Sequence, residues 1–135
     1  MRIEKKTEIV NRLKKLFDDK VEFAFIFGSI ATGRFYEHSD IDAAVYLKEM
    51  PVDTEARLNF ISSISKEFNR KIDLIILNDC DIVIAMQVLA NGILIINNNP
   101  HLFIRFKARK LSEYPDFKIS RRIVEERLLN GRIYA

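Results

Sequence analysis

The sequence predicts an α/β layer structure in one domain, with a mixed four-stranded sheet covered by helices. Three observations carry this expectation. Short, continuously apolar runs such as Phe23-Ala24-Phe25-Ile26-Phe27 alternate along the chain with longer stretches whose apolar residues recur at helical spacing. Glycine, proline and Asn/Asp clusters punctuate the joints between them. At 135 residues, 48% of them hydrophobic, the chain has the size and composition of one globular domain, residues 1–135, built on one core.

Taken in order, residues 3–19 carry Ile9, Val10, Leu13, Leu16 and Phe17 among lysines and glutamates, the pattern of an amphipathic helix packed on a sheet. A first strand starts at Val21. It reads as buried on both faces, because it is apolar without alternation and stops at Gly28-Ser29. A short helix through Gly33 and a loop over residues 34–39 follow, and His38 in that loop reads as a solvated side chain. The second strand, from Ile41 to Leu47, ends before Pro51-Val52-Asp53, where Asp53 is placed to cap a helix with Leu58, Ile61, Ile64 and Phe68 along one face. Residues 71–77 form a third strand by composition. Asn78-Asp79-Cys80-Asp81 makes a turn and cap for a helix closed by Asn91-Gly92, and residues 93–96 read as a fourth strand. Pro100 opens a helix with a basic face of Arg105, Lys107, Arg109 and Lys110, read as solvated or partner-facing. Tyr114-Pro115 breaks it, and a last helix is expected over residues 118–129.

Composition excludes several classes. With 22 basic and 19 acidic residues the charge excess is slight, so nucleic acid is not an expected direct partner. No apolar stretch approaches the roughly 20 residues of a membrane-spanning helix, and the N-terminal residues lead into a charged helix rather than a secretion signal. A cytoplasmic protein is expected. The single cysteine, Cys80, sits in no metal-ligand spacing and reads as a packing residue.

The chemistry concentrates in the Gly28-Ser29 turn and in Ser39-Asp40-Ile41-Asp42. Strand side chains alternate between faces, so Asp40 and Asp42 point the same way. Two carboxylates about 4 Å apart repel by about 4 kcal/mol at an effective dielectric near 20, so such a pair holds a cation or a proton. Oxygen donors without histidine or cysteine favour a hard ion such as Mg2+. Glycine at 28 admits a phosphate close to the backbone, and a helix starting at Ser29 would aim free amides at an anion. Asp73 lies inside the apolar run Lys71-Ile72-Asp73-Leu74-Ile75-Ile76-Leu77, and a buried lone aspartate needs a partner or a metal. The Asp40/Asp42 pair is the expected one.

Gly28-Ser29, then ten residues, then Asp40-x-Asp42, with a later strand aspartate at Asp73, resembles the nucleotidyltransferase superfamily of the DNA polymerase beta type. With Ala31, Gly33 and Ser39 it is most similar to the minimal nucleotidyltransferases (MNT) paired as antitoxins with HEPN-domain toxins. The resemblance implies the nucleotidyltransferase fold, with the first two strands adjacent and the Gly-Ser turn beside the paired aspartates. It implies Mg2+-dependent transfer of AMP from ATP to a hydroxyl acceptor, a tyrosine of a HEPN ribonuclease toxin. In that reading Asp40, Asp42 and Asp73 are catalytic and metal-binding, Gly28, Ser29 and Arg34 bind the nucleotide, and Phe117, Ile133 and Tyr134 contribute to the partner interface. Two other classes suit the same residues: an antitoxin acting by binding alone, and a small-molecule nucleotidyltransferase of the aminoglycoside-modifying kind.

Overall fold

In the computed structural model, which describes residues 6–28, 31 and 40–113, a four-stranded sheet is flanked by helices on both faces. The described helices are α1 (Lys6–Phe17), α2 (Thr54–Phe68), α3 (Ile82–Asn91) and α4 (Pro100–Ser112). The strands are β1 (Val21–Phe27), β2 (Ile41–Leu47), β3 (Ile72–Ile76) and β4 (Ile93–Asn97). The expected short helix through Gly33, the loop over 34–39, the last helix over 118–129 and the interface residues Phe117, Ile133 and Tyr134 lie outside the described residues.

The strand order is β3-β2-β1-β4, with β1 antiparallel to both β2 and β4, and β2 parallel to β3. A parallel neighbour needs a crossover, and α2 supplies it. The central place of β1 explains its unbroken apolar run: each face of the strand is covered by its own helical layer. Ala24 and Ile26 pack with α1 and α2 through Ile9, Leu13, Ile64 and Phe68. Phe23 and Phe25 face α3 and α4. A register shift between Val21 and Phe23 returns Val21 to the α1 side.

The second layer is aromatic. Phe23 stacks on Tyr46 at 4.9 Å between ring centroids and meets Phe103 at 5.0 Å and Phe106 at 5.3 Å, within the range where aromatic pairs attract beyond their buried area. Helix ends follow the sequence closely. Asp53 accepts from Ala56 N, Asp81 from Val83 N and Asn99 from Leu102 N, each worth about 0.5–2 kcal/mol against alanine. Beyond the end of β3, Asn78 accepts from Leu47 N at 2.8 Å and donates to Leu47 O at 3.0 Å, so a side chain continues the pairing where the strand has stopped.

One expected face is shorter than its periodicity suggests. Ile64 and Phe68 are buried, but Leu58 is 60% exposed, because only the C-terminal half of α2 lies over the core. No described helix is long and apolar enough to cross a membrane.

Candidate active site

Three strand ends meet at one corner of the sheet. Antiparallel pairing sets the C-terminal end of β1 beside the start of β2, and parallel pairing sets the start of β3 on its other side. The register aligns Phe27, Asp42 and Asp73 in one row across the three strands. One step earlier, Ile41 pairs with Ile72 and its amide donates to Lys71 O at 3.1 Å, which brings Asp40 alongside Lys71. Alternation then gives Asp40, Asp42, Lys71 and Asp73 a common face, the one that α3 and α4 cover further along. At this corner the helical cover gives out: Asp42 is half-buried, and Asp40 and Asp73 are exposed.

Gly28 closes the corner. Its backbone is left-handed at φ 71°, and a Cβ there would collide with Asp42 Oδ2, so the glycine is required both by conformation and by the carboxylate behind it. Ala31 N donates to Gly28 O at 3.1 Å, the first turn of the chain leaving the strand. Ser29 and Arg34, the other expected nucleotide-binding residues, lie outside the described residues.

Asp42 faces Asp73, and its carboxyl is pushed above the ordinary aspartate range by burial first, then by the facing Asp73 carboxylate, with a smaller contribution from Asp40. Asp40 Oδ2 is 3.7 Å from Lys71 Nζ, an exposed pair of the kind worth up to about 1 kcal/mol. Among the described residues, no three acidic, histidine or cysteine side chains are already gathered as a metal cluster. Asp42 and Asp73 form the pair, and Asp40 leans to the lysine.

One expectation changes in this light, and one residue is added. Asp73 is exposed, since β3 is an edge strand, so it is register with Asp42 rather than the cost of burial that pairs the two acids. Lys71 was not singled out by its chemistry in the sequence. The available signal was its spacing, two residues before Asp73 just as Asp40 stands two before Asp42. A groove of about 490 Å3 between α1 and α2, lined by Arg12, Leu16 and Phe68, touches none of these acids.

The raised pKa of Asp42 has a testable sign. Its folded-state value lies above the unfolded one, so this group's stabilising contribution is complete at low pH and is lost as pH rises through the folded value. Asp42→Asn is therefore expected to melt at or above the parent at neutral pH, with the gap closing on acidification through the carboxylate range. Thermal melts across pH check this; a gap that widens as pH falls contradicts it.

The family profile described as Polymerase beta, Nucleotidyltransferase matches residues 7–101. A candidate protein adenylyltransferase of Methanocaldococcus jannaschii, MJ0141, is 34% identical over 73 residues, 51% of this chain and 72% of that protein. The protein adenylyltransferase MntA of Shewanella oneidensis is 29% identical over 85 residues, 61% of this chain and 60% of that one. In fold, the chain is similar to a solved toxin–antitoxin structure with AMP-PNP, with a TM-score of 0.68 at 24% identity over 89% of this chain and 98% of that one. It is also similar to a chain in the complex of tri-AMPylated Shewanella oneidensis HEPN toxin with MNT antitoxin, with a TM-score of 0.65 at 21% identity over 93% and 99%.

Proposed function

This chain belongs to the polymerase beta nucleotidyltransferase family, and we propose that it transfers AMP from ATP to a tyrosine hydroxyl of a HEPN-domain toxin, acting as that toxin's antitoxin. The observation that carries the reading is the corner where Asp42 sits between Gly28 and Asp73, with Asp40 alongside. Names and contents of similar proteins support it: two are called protein adenylyltransferases, and one related complex pairs an MNT antitoxin with an AMPylated HEPN toxin.

The donor chemistry of the corner fits a divalent cation. All its donors are carboxylate oxygens, and Asp42, raised in pKa by burial first and by the facing Asp73 second, would be favoured in its ionised form by added positive charge. Asp40, Asp42 and Asp73 would hold Mg2+. Held there, the ion would supply positive charge to offset the negative charge developing in the transfer.

In the transfer itself, the tyrosine oxygen bonds to the α-phosphorus while the bond from that phosphorus to the bridging oxygen breaks, releasing pyrophosphate. Asp73 accepts the hydroxyl proton, a role worth about a hundredfold to ten-thousandfold. Its exposure on an edge strand suits that task, since the acceptor belongs to another protein and must arrive from solvent. Gly28 lets the triphosphate approach the backbone, with Ser29 and Arg34 orienting the pyrophosphate and offsetting its growing charge. The reaction is assigned to the cytoplasm, where ATP and Mg2+ are at hand.

Incubating the chain with its HEPN-domain partner, Mg2+ and ATP labelled at the α-phosphate tests the proposal. Label is expected on a partner tyrosine. Neutralisation of the toxin with no label transferred would show inhibition by binding alone.

A further inference from the structure

Lys71 sits in the acid corner without belonging to its row of carboxylates. Its ammonium is 3.7 Å from Asp40 Oδ2, while its own carbonyl accepts from Ile41 N, so backbone pairing fixes the root of the side chain beside Asp40. Among the described residues Asp40 is its one ion-pair partner, and 70% of the side chain is exposed. A lysine presents a compact point charge on a flexible stem, suited to exchanging one anionic partner for another.

We propose that Lys71 is a positioning residue of this site: a resident counter-cation that holds Asp40 before a divalent ion arrives, and then turns to the polyphosphate of the nucleotide. The inference rests on the nucleotidyltransfer reading and deepens it. Asp42 and Asp73 stand in register on one face of neighbouring strands, so a third negative charge at Asp40 is best kept in place by a neighbouring cation. The same cation opposes the entry of a divalent ion at Asp40. Once displaced, it stands at the start of β3, one strand from Asp42 and two from Gly28, on the side from which the polyphosphate of the proposed substrate would be reached.

These two roles have opposite signs, which separates them from a purely structural one. The test compares the parent, Lys71→Gln, Lys71→Arg and Asp42→Asn. Binding of Mn2+ alone is followed by electron paramagnetic resonance of the free ion, and binding of a non-hydrolysable ATP analogue with Mg2+ by calorimetry. Lys71→Gln is expected to tighten Mn2+ binding about threefold to tenfold and to weaken the analogue by a similar factor, while Lys71→Arg stays near the parent in both. Unchanged binding in Lys71→Gln, or both ligands moving in the same direction, overturns the proposal while leaving the transfer reading intact. A parent whose Mn2+ binding is absent, or equal to that of Asp42→Asn, removes the transfer reading and this inference with it.

Discussion

Asp42→Asn is expected to abolish AMP transfer, by a factor of about a thousand or more, in a protein that remains folded. The amide matches the carboxyl in shape, so the packing against Gly28 and the ladder with β1 and β3 are retained. What disappears is the negative charge at the centre of the row. A carboxylate holding the cation contributes several kcal/mol to a phosphoryl-transfer barrier, and each 1.36 kcal/mol or so is tenfold in rate. The same substitution removes the cost of burying a charge and the repulsion with Asp73, so loss of activity is expected together with unchanged or higher thermal stability at neutral pH. Label transfer and a melting curve on one preparation check both halves. Retained transfer, or loss of transfer through unfolding, would remove Asp42 from the catalytic set.

Gly28→Ala is expected to damage both stability and rate. Alanine in the left-handed conformation at φ 71° costs about 1–2 kcal/mol. Its methyl would also run into Asp42 Oδ2, so either the turn or the carboxylate has to shift. Displacing a reacting group by about 1 Å is enough for a loss of about a hundredfold, and that is the fall expected in transfer. Because the harm runs through Asp42, the double variant Gly28→Ala/Asp42→Asn should be little worse in rate than Asp42→Asn alone. Multiplying effects would show that the direct approach of the triphosphate to Gly28, rather than the collision with Asp42, carries most of the loss.

Much of this corner could be read from residue order, for identifiable reasons. The unbroken apolar run of β1 announces a strand covered on both faces, and the sheet places it centrally between β2 and β4. Asp53 and Asp81 cap their helices as their positions ahead of apolar periodic stretches imply. The shared face of Asp40 and Asp42 follows from alternation within one strand, which needs no knowledge of neighbours. Features that depend on pairing between strands were not readable in the same way. Asp73 looked buried because its own strand is apolar, but only the strand order reveals that β3 lies at an edge. The pairing of Lys71 with Asp40 requires the parallel register of β2 and β3, which local pattern does not encode. Leu58 follows the helical period of α2 yet lies beyond the part of that helix that reaches the core.

In the proposed site, acids from two neighbouring strands share one divalent ion. An anomalous-difference map from crystals grown with Mn2+ and a non-hydrolysable ATP analogue tests it most directly. A Mn2+ peak bounded by carboxylate oxygens of Asp42 and Asp73, beside the nucleotide phosphates, is the predicted result; a peak elsewhere, with Asp73 left out of the coordination shell, would contradict it.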